Sequence, residues 1–222
     1  ALGEQAGEVA RLGAAIVRAM QGAGIAACGK HFPGHGDTVA DSHVELPVVE
    51  HPLERLREVE FVPFRAAIQA GVATMMMAHV LVPALDERRP ATLSRRIVTG
   101  LLREELGFEG VILSDELEMK AIAAEHPIPT AAVLSIEAGC DGVLVCHAGP
   151  AVQAAALEAI IYAVEDERLP WARVEDALRR QQRAKERFLA GAAAPPSSAR
   201  MLRQALGTDE HRAIAEEMAR FA

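Results

Sequence analysis

The chain has 222 residues, half of them hydrophobic, which is enough to bury a sizeable core within one domain or a large part of one. Its formal net charge is −8, and its 23 Lys and Arg residues are spread along the chain. This charge pattern provides no basic patch for a polyanion, so we expect no nucleic-acid partner. No apolar run reaches the roughly 20 residues that span a bilayer, so we expect no membrane partner either.

The three cysteines, Cys28, Cys140 and Cys146, argue against a disulfide framework or a zinc ribbon. Their number is odd, they have no CxxC spacing, and all three lie in apolar contexts that predict interior positions. Such cysteines are typical of a reducing compartment. We therefore expect a cytoplasmic protein.

The first part of the chain predicts two pairs of a helix followed by a strand. Residues 4–22 carry apolar side chains at helical spacing, and glycines end this helix before a short strand at 25–28. Residues 53–70 predict a second helix with a kink at Pro63. The apolar run "VATMMMAHV" then predicts the second strand.

The same alternation continues to residue 150. Ser94 is in position to cap a third helix, and the segment "EGVILSDEL" that follows this helix predicts the third strand. Residues 131–138 predict the next helix, and "CDGVLVCH" predicts the fourth strand. Strand cores that recur roughly every 32 to 47 residues leave room for one helical crossover each, and their continuous apolar runs suit strands covered on both faces. The pattern predicts a parallel α/β sheet. The tail predicts helices at 151–166, 173–189 and 208–221, with a linker at 191–199.

Side chains suited to catalysis or ligand binding follow each predicted strand. They are Lys30 and His31 after the first strand, His79 after the second, Ser114 and Asp115 after the third, and His147 after the fourth. Because the carboxyl ends of parallel strands share one edge of a sheet, we expect these groups to line one polar cleft. Asp115 is a candidate nucleophile, although the same residue could equally be the N-cap of a following helix.

The stretch "GKHFPGHGDTVADSH" at residues 29–43 concentrates histidine, aspartate and glycine. Asp41 and His43 are two positions apart, so in an extended segment they point to the same side and form a candidate proton-transfer dyad. A zinc cluster is an alternative interpretation of the same stretch, with ligands drawn from His31, His35, Asp37, Asp41 and His43.

The motifs "KHFPGHGDTVADSH" and "LSDELEM" together resemble glycoside hydrolase family 3, in its β-N-acetylhexosaminidase branch. The resemblance continues through "LLREELGFEGVILSD" and "AGCDGVLVC" and covers nearly all of the chain. It implies a (β/α)8 barrel of the TIM type. It also implies retaining hydrolysis of terminal β-linked N-acetylglucosamine from cell-wall or chitin-type saccharides, with no metal and no cofactor.

The resemblance assigns roles to individual positions. It implies that Asp115 is the nucleophile and that His43 is the acid/base, with Asp41 as its partner. The other implied site residues bind substrate (Lys30, His31, His79 and Met119) or form the hinges of a mobile loop (Pro33, Gly34 and Gly36). The family usually has Asp after the nucleophile, whereas this chain has Glu116.

The four predicted strands are half of the eight that a barrel requires. We therefore expect residues 1–190 to be the C-terminal part of the barrel, about four β/α units, followed by a linker and terminal helix at 191–222. An upstream half-barrel or a second domain is the expected partner, besides a small N-acetylglucosamine-containing saccharide. A phosphorylase or β-glucosidase using the same site, and a non-catalytic sugar-binding chain, remain open as alternatives.

Overall fold

A computed structural model of the chain describes residues 2–36, 38, 42, 45–190 and 199–220. Its centre is a sheet of four parallel strands in the order in which they occur in the chain: β1 (Cys28–Phe32), β2 (Thr74–Met77), β3 (Val111–Glu116) and β4 (Gly142–Leu144). Parallel neighbours in sequence order require a crossover between every pair of strands. The predicted parallel α/β architecture is confirmed, and this strand order is the one found in a barrel.

Helices supply these crossovers. Helix α1 (Ala6–Gly22) precedes β1, a π-helix (Arg96–Glu105) precedes β3, and α5 (Ile128–Ala138) precedes β4. The remaining helices are α2 (Leu53–Arg55), a π-helical turn (Leu56–Glu60), α3 (Phe61–Gln69), a 3₁₀ turn (Ala91–Leu93), α4 (Lys120–Ala123), α6 (Pro150–Glu165), α7 (Trp171–Leu189), α8 (Ala199–Ala205) and α9 (Asp209–Ala219).

The helix predicted at 53–70 is divided into three segments. The π-helical turn Leu56–Glu60 lies between α2 and α3, and it ends three residues before Pro63. Proline has no N–H to donate to the preceding turn, and a wider turn is one way in which a helix accommodates that loss. The local disturbance predicted at Pro63 therefore takes the form of a π-helical turn ahead of the proline.

The core lies on one face of the sheet. Along β2, Met75 and Met77 are completely buried, whereas Thr74 and Met76 are only partly buried. Met75 and Met77 belong to one apolar cluster with Phe32 on β1 and Phe61 on α3. The expectation that both faces of the strands are covered is therefore wrong for this chain. Its helices cover one face and leave the other partly exposed.

Two further expectations need correction. The first strand spans Cys28–Phe32 instead of 25–28, so Lys30 and His31 lie within it. The cysteines are not all interior, because Cys28 and Cys146 are exposed and only Cys140 is buried. The segment "GKHF" has too few apolar residues to predict a strand. It forms one because β1 lies at the edge of the described sheet, where it pairs with β2 on one side and needs no continuous apolar run.

The predicted helices of the tail are present. Val174 of α7 belongs to one apolar cluster with Val133 of α5, Ala163 of α6 and Leu169, which precedes α7. In α9, Thr208 caps the helix by accepting a hydrogen bond from the amide of His211, and no described side chain of α9 is buried. Within the described residues, none of the helices combines the length and the apolar character needed to cross a membrane.

Candidate active site

Asp115 is the penultimate residue of β3, at the carboxyl edge of the sheet. Its side chain is 15% exposed. The amide of Glu116 donates a hydrogen bond to its Oδ1 at 2.9 Å, and its Oδ2 lies 3.7 Å from Nε2 of His31. One carboxylate oxygen is therefore fixed by the backbone, while the other faces an imidazole at the edge of the sheet.

His31 and Lys30 approach this edge from β1. The rings of His31 and His35 meet edge to face, with their centroids 6.1 Å apart. Lys30 is exposed. The predicted convergence of His31 and Asp115 is confirmed, although the two residues are far apart in the chain.

The turn that follows β1 requires glycine at position 34. Gly34 has φ +141°, and a Cβ there would lie 2.9 Å from Cγ of Glu60. Both the backbone conformation and the close side chain exclude larger residues. Gly36 has neither constraint, since no atom lies within 4 Å of the position that its Cβ would occupy. Of the predicted hinge glycines, only Gly34 is demanded by local geometry, and Pro33 precedes it directly.

His35 and Ser42 hold the loop after β1 together. Nδ1 of His35 lies 2.8 Å from the hydroxyl of Thr38, and its Nε2 lies 3.0 Å from the hydroxyl of Ser42. The amide of Ala121 in α4 donates to the carbonyl of Ser42 at 3.3 Å. The loop is thereby bonded to the helix that follows β3.

These contacts use both ring nitrogens of His35, which argues against the zinc cluster considered for this stretch. Three of the residues predicted there, Asp37, Asp41 and His43, lie outside the described residues. The predicted roles of Asp41 and His43 stay predictions.

His79 follows β2 and is completely buried. Its Nε2 lies 2.9 Å from the carbonyl of Glu116, and its Nδ1 lies 2.9 Å from the hydroxyl of Thr92. Burial lowers the pKa of His79, which favours the neutral ring. Because a carbonyl only accepts, Nε2 carries the proton. This placement differs from the expected contact with substrate: His79 binds the backbone beside Asp115.

Sequence reasoning missed how closely the ends of β3 and β4 are joined. Both carboxylate oxygens of Glu116 accept from the amide of Cys146, at 3.1 and 2.9 Å, and Glu118 accepts from the amide of His147 at 2.7 Å. A hydrogen bond to Glu116 raises the pKa of the Cys146 thiol to about 11. The only sequence signal was the departure from the family pattern at Glu116.

Ser114 and Met119, the two remaining predicted residues on this part of the chain, are interior. Ser114 is buried, and its hydroxyl accepts from the amide of Leu144 at 3.0 Å, which joins β3 to β4. Met119 is 7% exposed and immediately precedes α4. The polar side chains that the structure brings together at this edge are therefore mainly His31, Asp115 and the acidic residues that follow Asp115.

Comparison with known proteins identifies the family. The family described as "Glycosyl hydrolase family 3 N terminal domain" matches residues 1–184. The chain belongs to glycosyl hydrolase family 3. The resemblance inferred from the two sequence motifs is confirmed.

Relatives in this family are named as hexosaminidases. The chain is 45% identical to a β-hexosaminidase of Thiobacillus denitrificans, in an alignment that covers 63% of this chain and 38% of the relative. The structure of a family 3 β-N-acetylglucosaminidase from a Paenibacillus species superimposes with a TM-score of 0.86 at 46% identity, covering 94% of this chain and 39% of that one. The chain thus spans about two fifths of the length of these relatives.

A β-glucoside phosphorylase has the same fold. It superimposes with a TM-score of 0.86 over 98% of this chain and 40% of its own, at 22% identity. At that identity the likeness shows the architecture alone. It agrees with the parallel sheet and helices described above.

Proposed function

We propose that this chain carries part of the active site of a retaining exo-β-N-acetylhexosaminidase, which releases terminal β-linked N-acetylglucosamine. Asp115 attacks the anomeric carbon while protonated His43, oriented by Asp41, donates its proton to the leaving oxygen. His43 then takes a proton from water, which attacks the glycosyl-enzyme and frees the sugar with net retention. The substrate class follows from the names of the relatives.

The observation that carries this proposal is the setting of Asp115. Its Oδ1 accepts from the amide of Glu116, and its Oδ2 faces His31 from the "KHFPG" motif. Within the described part of the chain, neither a lysine nor an arginine forms an ion pair with this carboxylate. An ionised carboxylate that is oriented by the backbone and not neutralised by a cation is suited to attack an electrophilic carbon.

The attachment of the loop after β1 supports the role of His43. Ser42, which directly precedes it, is buried and accepts a hydrogen bond from Ala121 of α4. Position 42 is therefore tied to the helix that begins five residues after Asp115. The attachment of position 42 to α4 supports the proposal that His43, the next residue, acts beside Asp115.

Sugar binding completes the proposal. His31 and the exposed Lys30 bind sugar hydroxyls from β1, and a saccharide is the small-molecule partner. His79 positions the backbone of Glu116 instead of touching the sugar. Met119 lies mostly in the interior and contributes packing beneath the site. A cytoplasmic location and a cell-wall saccharide as the natural substrate stay predictions.

The first test removes the nucleophile. We expect the purified protein to hydrolyse an aryl N-acetyl-β-glucosaminide, and Asp115→Asn to lose more than the roughly 10²–10⁴-fold that acid–base help contributes. The matched control is Asp166→Asn, because Asp166 is an exposed aspartate at the end of α6. Mass spectrometry with a fluorinated substrate analogue should trap an adduct on Asp115. An adduct on another residue would reassign the nucleophile.

The second test separates the acid from the nucleophile. His43→Ala should lose about 10²–10⁴-fold toward substrates with poor leaving groups, and much less toward activated aryl glycosides that need no proton. Equal losses on both kinds of substrate would contradict the acid role.

Product analysis decides between the alternatives. Hydrolysis gives free N-acetylglucosamine with retained configuration, whereas a phosphorylase gives a sugar 1-phosphate only when phosphate is present. Protein that binds the sugar without turning it over would support the non-catalytic alternative.

A further inference from the structure

A group of metal-ligand side chains lies beside the proposed nucleophile. Among the residues that the structure describes, Glu116, Glu118 and His147 place one ligand atom each within 4.8 Å of one another. The carboxylates come from the end of β3 and the segment after it, and the imidazole comes from the segment after β4. The proposed glycosidase mechanism uses none of these side chains.

The distances suit a transition-metal ion. Nδ1 of His147 lies 3.6 Å from Oε2 of Glu116. Two ligands bound about 2.1 Å from a tetrahedral Zn²⁺ are about 3.4 Å apart, so this pair already has nearly the required spacing. The side chain of His147 is 86% exposed, so its ring can rotate to close the small difference between 3.6 and about 3.4 Å.

Backbone amides fix both carboxylates. The amide of Cys146 donates to both oxygens of Glu116, and the amide of His147 donates to Oε2 of Glu118. Each carboxylate oxygen has two lone pairs, so these bonds leave acceptor capacity for a cation. Hydrogen bonds of this kind orient the side chains that bind the ion in metal sites.

The donor set indicates the class of ion. Two carboxylates offset the charge of a divalent cation, and an imidazole nitrogen favours zinc-class metals over Mg²⁺ or Ca²⁺, which prefer oxygen ligands alone. Three protein ligands leave a fourth position for water. We propose that Glu116, Glu118 and His147 bind one divalent transition-metal ion of the zinc class.

The test measures Zn²⁺ binding to the tag-free full chain by isothermal titration calorimetry, so its outcome does not depend on glycosidase activity. We expect one saturable site, weakened at least about tenfold by Glu118→Gln and by His147→Asn, as found when groups that support a metal are removed. Neither change threatens folding, because Gln keeps an oxygen for the amide of His147, and His147 is exposed. Mg²⁺ should bind much more weakly than Zn²⁺.

The controls are Glu125→Gln and His211→Asn, which alter an exposed glutamate and an exposed histidine elsewhere and should leave the affinity unchanged. Three results would overturn the proposal: no saturable Zn²⁺ binding, equal losses in the controls, or binding that Asp115→Asn abolishes while Glu118→Gln and His147→Asn retain it. The last result would place the ion in the proposed sugar site.

Discussion

At the amino edge of the sheet the carboxylate of Asp141 lies between two arginines, whereas at the carboxyl edge Asp115 is held by an amide and faces an imidazole. Asp141 is completely buried; its Oδ2 accepts from Arg103 at 2.8 Å, and its Oδ1 accepts from Arg173. Burial lowers the pKa of Arg103, while Asp141 opposes this effect. The same chemical group is paired with two guanidinium cations at one edge and with an amide and an imidazole at the other.

This difference assigns Asp141 to the stability of the fold and leaves Asp115 available for the proposed chemistry. Asp141 joins the π-helix Arg96–Glu105, β3 and α7, since it also accepts from the amide of Ile112 at 2.9 Å. Within the described residues, the side chain of Asp115 contacts the amide of Glu116 and the ring of His31. A nucleophile must keep its lone pairs for substrate, so strong cationic partners at the carboxyl edge would work against it.

The largest effect should come from breaking the buried network. Asp141→Asn leaves the mostly buried Arg103 without its carboxylate partner and leaves Arg173 paired with Asp176 alone, and removal of one partner from a buried ion pair costs about 3–5 kcal/mol. We expect a loss of this size in the free energy of unfolding, measured with urea. Glu105→Gln is the control, because it removes the partner of Arg57 in a pair that is nearly half exposed on both sides and is worth about 0–1 kcal/mol. Equal losses in both variants would contradict the comparison.

The next largest loss of stability is expected at His79, which is buried and bonded to the carbonyl of Glu116 at the carboxyl edge of the sheet. His79→Leu removes the donor to the carbonyl of Glu116 and leaves that oxygen without its partner, whereas the hydroxyl of Thr92 keeps its bond to the carbonyl of Ala78. A buried polar group left unsatisfied costs about 1–3 kcal/mol. His79→Gln, which keeps a donor, should recover part of this loss in the same urea experiment. Full stability of His79→Leu would show that the link does not support the strand end.

The two edges also differ in how far the sequence could predict them. His31 and Asp115 lie at or next to strand ends in the chain, so parallel topology alone predicts that they meet. Asp141 and its arginines are 38 and 32 residues apart, and no periodic pattern connects them. The sequence predicts that His79 lies at a strand end. It does not predict that Thr92 is its hydrogen-bond partner, and this contact holds the ring in the interior.

Secondary structure shows the same limit. Four parallel strands follow from apolar runs and crossover lengths, and the structure contains them. The start of β1 was misplaced because Lys30 and His31 do not alternate with apolar residues in a recognisable way. The departure at Glu116 was visible in the sequence. Its bonds to the amide of Cys146 depend on the spacing of β3 and β4, which only the folded sheet provides.

A smaller effect on stability is expected at Asp86, a carboxylate that is held mainly by hydrogen bonds. Asp86 accepts from the hydroxyl of Ser94 at 2.6 Å and from the amides of Arg88 and Arg89. Burial acts to raise the pKa of Asp86, but these hydrogen bonds outweigh it, and the pKa lies below its usual value. Ser94→Ala should cost about 0.5–1.5 kcal/mol at neutral pH, the range of an ordinary hydrogen bond, because Asp86 is partly exposed to solvent.

The pH dependence of that loss follows from the direction of the shift. Asp86 has a lower pKa in the folded state than the value of about 3.9 in the unfolded state, so its stabilisation is complete above this value and disappears as the pH falls through the folded pKa. The difference between wild type and Ser94→Ala should therefore shrink on acidification. A difference that stays constant down to pH values below the folded pKa would mean that the hydroxyl does not act through the ionised carboxylate.

The smallest effect is expected where the chemistry is proposed. Asp115→Asn removes a negative charge that lies next to Glu116 and has no lysine or arginine partner within the described residues, and an asparagine oxygen can still accept from the amide of Glu116. We expect a change of no more than about 0.5 kcal/mol in the free energy of unfolding, the size seen for substitutions that break no network. A loss near that of Asp141→Asn would mean that Asp115 is a structural residue. Near-neutral stability together with lost turnover would separate catalysis from folding at this residue, because the hydrogen bond that holds its Oδ1 does not require the charge that attack on the sugar does.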